Sequence, residues 1–398
     1  MQKVLVEAGS HPLLSRVGIV ALVDKPWSTR WMPEHQILSR LSRYFHVVWV
    51  NPARDWRTAI AGPPWSLGGT TRPLSTPAFA LYEPEIWLPQ CWRYDWLAEW
   101  LVATRVRRAR RLLARAGCDR FVINLWSPHF ERTLATGGFD LSCYHITDEY
   151  TYADDDPPVP AGEARLLASV DHVFVVSPAL LEKKGGFNAH TEFIPNGVDY
   201  EAYARETPEP DDIAAIPHPR IGYTGWIKKQ LDWDLLRQLI PRHPEWSFVF
   251  VGAEKLVPEI APMVKRLASL PNVHFLGSKS SDELARYPQH FDVCIMPYRQ
   301  DGYTKYIFPV KLNEYLASGR PTVGTRIRSL ESYADVVILA TTLDEWETAI
   351  FRALSHDTGS ALSREARCEV ARRHDWELLT RRVAGSIAER LGLELPDP

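Results

Sequence analysis

Nowhere in the 398 residues do roughly 20 apolar residues run uninterrupted, as a membrane-spanning helix would need. Cysteine is scarce: Cys91, Cys118, Cys143, Cys294 and Cys368 are odd in number, scattered, and form no C-x-x-C pair. That spacing argues against a disulfide framework or a structural zinc site and fits a reducing compartment. Excess charge of either sign is also missing. The 46 Lys and Arg against 49 Asp and Glu leave a formal charge of −3, so no global basic field recruits nucleic acid. The first residues, with Lys3 and Glu7 early, lack the basic-then-apolar layout of a signal peptide, so no export is predicted. Repeats at solenoid or propeller periods and low-complexity tracts are absent as well.

What remains is the composition of a folded protein, 45% hydrophobic and 24% charged, long enough for two or three domains. Strand, loop and helix signals alternate along it. Apolar runs at 17–23, 46–51, 121–125, 142–146, 172–177 and 192–195 are spaced for right-handed crossovers and predict one parallel α/β sheet. Residues 196–219 are rich in Pro and acids and read as a linker without periodic structure. Runs at 221–225, 248–253, 272–277, 293–298, 321–325 and 336–340 predict a second sheet, and 364–391 reads as one long helix packing back across both domains. The expected boundaries are 1–198, 199–374 and 375–398. Ligands of open α/β sheets bind beyond the strand C-terminal ends, so the chemistry is expected in the loops that follow strands, across an interdomain cleft.

The stretch 298–325, YRQDGYTKYIFPVKLNEYLASGRPTVGT, carries most information. Pro309 suits a helix start and Gly319 a helix end. Lys311 and Glu314, three apart, share a face in the first turns, where free N–H groups favour a phosphate. Lys311 is suited to a diphosphate and Glu314 to a ribose diol, although the same spacing serves a surface ion pair. Gly225 and Lys228, after the first strand of the second series, suit backbone approach to phosphate or form a plain turn. That loop lacks G-x-G-x-x-G, which disfavours a nicotinamide or flavin enzyme. The segment CYHITDEYTY at 143–152 puts Asp148 just past a strand, as a base for a sugar hydroxyl or as a loop cap, with Glu149 as the fallback. Asp154, Asp155 and Asp156 imitate the D-x-D of metal-dependent transferases, but they precede Pro157 and Pro158 in a polar loop and do not end a hydrophobic strand, so no metal is expected.

PVKLNEYLASGRPTV resembles the donor-site signature of GT-B glycosyltransferases, and FIPNGVD at 193–199 resembles the segment entering their interdomain linker. HVFVVSPALLEKK at 172–184 and IGYTG followed by LDWDLL extend the likeness over most of residues 120–390. The resemblance implies two Rossmann-like α/β domains, an N-terminal acceptor domain (1–198), a nucleotide-sugar domain (199–374), and a final helix (375–398) on the first domain. It implies a nucleotide-sugar donor, with UDP the first expectation and the base left open because backbone contacts carry no side-chain signature, no cofactor, and a donor site of Gly225, Lys228, Tyr298, Lys311, Leu312 and Glu314, with Leu276 and Gly277 bracketing the base. In the large retaining GT-B family a Glu stands eight residues before the helix Glu; Tyr306 occupies that position here. The segment around Asp148 resembles Y-x-x-S-D of xanthan-type glucuronosyltransferases, which implies inversion with Asp148 as base. A retaining transferase, a nucleotide-sugar epimerase or a non-catalytic saccharide-binding subunit remain alternatives.

Acceptor contacts are expected from Lys25, Trp27 and Arg30 in the loop at 24–31, because indoles stack on sugars and Arg pairs with acidic groups. Trp92, Trp96 and Trp100 recur every four residues, and 105–120 then holds seven Arg and one acid. Such a surface suits anionic lipid headgroups and a lipid-linked acceptor, placing the protein in the cytoplasm at the membrane surface; core packing of the indoles is the alternative.

Overall fold

The computed structural model describes residues 11–27, 31–53, 71–73, 78–85, 87–89, 94–151, 156–355 and 363–397. The β-branched runs form two parallel sheets. The first contains β1 (Val17–Leu22), β2 (His46–Val50), β3 (Thr71–Pro73), β4 (Phe79–Tyr82), β5 (Arg120–Leu125), β6 (Leu141–Ile146), β7 (His172–Val175) and β8 (Thr191–Phe193), ordered β3-β4-β2-β1-β5-β6-β7-β8. The β3–β4 pair alone is antiparallel among these neighbours. The second sheet uses β9 (Arg220–Thr224), β11 (Ser247–Val251), β13 (Val273–Phe275), β14 (Val293–Met296), β15 (Thr322–Thr325) and β16 (Ile338–Ala340), ordered β13-β11-β9-β14-β15-β16. A two-stranded parallel pair, β10 (Ile227–Lys228) with β12 (Glu254–Lys255), lies beside it. Helices cover both faces of the sheets, so central strands are buried on both sides and read as unbroken apolar runs. β1 and β11 are buried at every residue.

The linker is more ordered than its composition suggests. Asp199 caps the short helix Tyr200–Ala204 by accepting the Ala202 N–H, and a second short helix spans Asp211–Ala214. The expected single helix at 364–391 is two, Arg364–Arg373 and Trp376–Arg390, interrupted where the chain crosses back between the domains. No Gly or Pro marks that break; Asp375 starts the second helix by accepting the Glu377 N–H at 2.7 Å.

The two crossings are bonded to each other. Val198 N–H donates to the His374 carbonyl and Trp376 N–H to the Val198 carbonyl, both at 3.0 Å. A Cβ at Gly197 would sit 2.6 Å from the His374 carbonyl oxygen, so only glycine allows this approach. Beyond it, Trp376, Leu379, Val383 and Ile387 enter the core of the first domain. Arg40, from the helix Pro33–Leu41, bonds Glu377 at 2.8 Å on the same face.

Candidate active site

Among the parallel strands each sheet reverses its order once, between β1 and β5 and between β9 and β14, and the loops after those strands diverge to leave a crevice. The two crevices face each other across a cleft of about 360 Å³, lined by Lys25, Glu34 and Asp148 from the first domain and Lys228, Lys311 and Glu314 from the second.

The signature at 309–315 divides by helix face. In the helix Val310–Ala317, Leu312, Asn313 and Tyr315 are buried, whereas Lys311 and Glu314 turn to the cleft. Asn313 donates to the Asn196 carbonyl at 2.7 Å, and Asn196 donates to the Phe308 carbonyl at 2.7 Å, which ties the helix to the linker entrance. Tyr315 Oη accepts the Thr224 N–H at 2.7 Å and fixes the helix to the end of β9. Lys311 and Glu314 are therefore held by buried neighbours, as a preorganised site requires.

Lys311 Nζ donates to Tyr298 Oη at 2.7 Å and lies 5.0 Å from the centroid of the Tyr223 ring. Gly225 has φ +116°, and a Cβ there would stand 3.2 Å from Lys311 Cε. Lys228 reaches the same space. Burial, reinforced by the like charge of Lys311, lowers its pKa to about 8. Two ammonium groups that disfavour each other favour a polyanion between them. Burial raises the Glu314 carboxyl above its ordinary range, against a hydrogen bond from Tyr203 and the charge of Lys311.

Across the cleft, burial raises Asp148 to about 6, opposed by the Glu149 N–H and by Lys25 and Lys228. Its Oδ1 accepts that N–H at 3.0 Å and its Oδ2 lies 3.4 Å from Tyr303 Oη. A carboxyl so placed is suited to taking a proton near neutral pH. Beside it a recess of about 20 Å³, room for one water-sized group, is lined by Lys25, Glu34, Trp126, Thr147, Asp148 and Tyr150 among others. Trp126 Nε1 is buried there without a hydrogen-bond partner among the described residues, and Glu34 Oε1 faces Lys25 Nζ at 3.6 Å.

Several expected contacts are corrected. Glu149 does not serve the cleft: its carboxylate is buried against Lys183 and Lys184, at 3.4 and 3.3 Å. Leu312 is fully buried in the core. Leu276 packs on the same core and its N–H continues the ladder to Phe250, the Gly277 carbonyl is taken by the Gly252 N–H, and the next residues of this loop, Ser278 and Lys279, border the cleft. Trp27 packs on His35, Trp49 and Phe79 with centroids 4.9 to 5.3 Å apart, and Trp31 takes the cleft position. Arg30, Trp92, Asp154 and Asp155 lie outside the described residues. Glu34, Trp31 and Tyr303 line the cleft without having been expected there, and Trp226, in the loop with Gly225 and Lys228, lines it too. The only signal for Glu34 was an acid in the first turn after Pro33.

Trp96 and Trp100 do not pack into the core. They are 70% and 53% exposed on the helix Asp95–Arg115, and the exposed Arg107, Arg111 and Arg115 continue the same stripe. Arg105 is buried, with its pKa lowered to about 10 by burial, while Arg108 is half-buried against Glu85 and Arg110 is half-buried and donates to the Gly138 carbonyl at 2.8 Å. Among the described residues no helix is long and apolar enough to cross a membrane, and no three His, Cys, Asp or Glu side chains gather to hold a metal ion.

Two Rossmann-like domains facing across a cleft define the GT-B fold, and solved structures match along the whole chain. The E. coli trehalose-6-phosphate structure bound with UDP-2-fluoro glucose superposes with a TM-score of 0.66 at 13% identity, covering 95% of this chain and 100% of that one. A trehalose-6-phosphate synthase studied with bisubstrate glycomimetics, for glycosyltransfer with retention, gives 0.64 at 13% identity, over 96% of this chain and 100% of that one. Residues 218–356 match the family described as Glycosyl transferases group 1. A Bacillus subtilis (strain 168) protein bearing the name teichuronic acid biosynthesis glycosyltransferase TuaH is 29% identical over 237 residues, 56% of this chain and 58% of that protein. The match thus spans somewhat more than half of that relative's length.

Proposed function

We propose that this protein is a glycosyltransferase that moves a sugar from a nucleotide diphosphate, a UDP-sugar, to a saccharide or lipid-linked acceptor of a cell-surface polymer. The observation that carries the reading is the convergence of Lys311, Lys228 and Glu314 at the strand ends of the second domain. The two ammonium groups and the N-terminus of the helix Val310–Ala317 would meet the charge that develops on the departing diphosphate. Glu314 would accept the ribose hydroxyls. The UDP-2-fluoro glucose of the E. coli neighbour supports the donor class, and the teichuronic acid name of the Bacillus subtilis relative supports a polymer acceptor.

Retention is the stereochemical reading that the neighbours support. The departing phosphate oxygen, held by Lys311, would receive the acceptor proton on the face where the new bond forms. Inversion, the expectation drawn from the sequence, is the second reading. It rests on Asp148, which faces the donor cations from the acceptor side with a carboxyl raised to about 6. The anomeric configuration of the new glycosidic bond, read by NMR, separates the two.

The exposed stripe of Trp96, Trp100, Arg107, Arg111 and Arg115 supports resting on anionic lipid, which would bring a lipid-linked acceptor to the cleft. The first test is calorimetry of UDP, GDP and dTDP with wild type and Lys311→Ala. Binding of UDP that the variant loses supports the reading; binding of none of the three refutes it.

A further inference from the structure

Two sequence features stand outside this function: Tyr306, where the resemblance expects a sugar-contacting Glu, and Asp156, the last member of the apparent D-x-D. The structure brings them together. Tyr306 Oη donates to the Asp156 carboxylate, 2.6 Å from Oδ1 and 2.7 Å from Oδ2. Lys183 and Lys305 complete the carboxylate's shell at 2.7 and 2.8 Å. Their ammonium groups also stand 4.8 and 5.1 Å from the centroid of the Tyr306 ring. The Tyr306 side chain is 2% exposed and does not line the cleft, whereas Tyr303, Ile307 and Phe308 on either side of it do.

The loop at 299–309, between β14 and the helix Val310–Ala317, is therefore tied to the first domain at three points. Tyr303 reaches Asp148; Tyr306 reaches Asp156, and its carbonyl accepts from Ser177 Oγ at 2.7 Å; the Phe308 carbonyl accepts from Asn196 at 2.7 Å. Lys183 closes the circuit, because it also lies 3.4 Å from Glu149, the neighbour of Asp148.

We propose that Asp156 and Tyr306 are positioning residues: a strut between the domains that holds the loop at 299–309, and with it the wall of the donor site and Tyr303, in register with Asp148. The position that carries a sugar contact in Glu-x7-Glu enzymes carries a structural cross-link here, and the aspartate that imitates a metal ligand is that link's anchor. The proposal rests on the reading of this cleft as a donor site. Three hydrogen bonds to one carboxylate, two of them from ammonium groups, hold the Asp156 carboxyl well below the usual carboxylate range.

The test combines hydrogen–deuterium exchange with UDP calorimetry on Asp156→Asn, Tyr306→Phe and Tyr306→Glu. The expected result is faster exchange at 299–309, with the strands of the second sheet unchanged, and UDP affinity lowered about tenfold in the first two. Tyr306→Glu sets a second carboxylate against Asp156 and should lower affinity further. Equal or tighter UDP binding by Tyr306→Glu would mean that this position faces the donor, and unchanged exchange at 299–309 in all three variants would remove the strut. A lowered melting temperature without either change would also overturn the proposal, by leaving only a general packing role. Should Tyr306→Phe fail to fold, Asp156→Asn, at a part-exposed side chain of unchanged size, still decides the matter. If wild type binds no UDP, the donor-site reading fails, while the exchange measurement continues to test the strut.

Discussion

Lys311 Nζ lies 2.7 Å from the hydroxyl of Tyr298, a contact that holds the ammonium in the cleft space it shares with Lys228. Tyr298 follows β14 and Lys311 sits in the first turn of the next helix, so the hydrogen bond fixes the reach of a flexible four-carbon side chain.

Removing that charge should weaken UDP strongly without unfolding the protein, because Lys311 borders the cleft while its neighbours Leu312 and Asn313 carry the packing. A charge-assisted hydrogen bond contributes about 1.5–3 kcal/mol, so Lys311→Ala is expected to lower affinity by about tenfold to a hundredfold, with an unchanged circular dichroism spectrum. Calorimetry reads the first quantity directly.

If the cleft takes UDP as proposed, the lowered pKa of Lys228 is expected to make its binding pH-dependent. Below about 8 the ammonium is charged and ready; above it the free protein must take up a proton before the anion is met, so affinity falls as pH rises through about 8. Binding isotherms between pH 6.5 and 9.5 would show the decline, and Lys228→Met should both weaken binding and flatten the profile.

For Asp148 the sign is opposite. A base must be ionised, so if inversion is the route, transfer rises with pH through about 6, the range to which burial moves this carboxyl. Asp148→Asn should then cost about 100-fold or more in turnover, erase the acid limb, and leave UDP affinity within a factor of a few. Under retention the acid limb survives the substitution.

The exposed indoles and arginines on the helix Asp95–Arg115 are expected to bring the protein down with phosphatidylglycerol vesicles and not with phosphatidylcholine vesicles in a sedimentation assay. Each basic residue near an anionic surface contributes about 1 kcal/mol, so Arg107→Ala with Arg111→Ala should weaken association about thirtyfold. Trp96→Ser with Trp100→Ser should abolish it, and salt should weaken the wild type. Equal sedimentation of wild type and variants would remove the lipid reading.

Gly197→Ala probes the hinge between the domains. The new methyl would press on the His374 carbonyl, and overpacking of this kind costs about 1–3 kcal/mol, measurable as an earlier urea midpoint.

Local pattern alone determined much of this protein. Parallel strands buried on both faces must be apolar along their whole length, so β1, β2, β9, β11 and β14 were legible within a residue or two. Lys311 and Glu314 were legible too, because three-residue spacing on a helix puts both on one face whatever that face meets. Other features depend on contacts distant in sequence. Glu149 follows Asp148 directly, and only Lys183 and Lys184, more than thirty residues on, decide that one carboxylate is locked away while the other faces the cleft. Trp27 and Trp31 were equivalent as sequence; stacking on Trp49 and Phe79 holds one indole against the core and leaves the other to line the cleft. Tyr306 read as a missing glutamate until the fold placed Asp156, 150 residues earlier, against its hydroxyl. Periodicity reports which way a side chain points from its own element, and what it meets there is settled only by contacts from elements distant in the chain, within a domain for Glu149 and Trp27 and between domains for Tyr306.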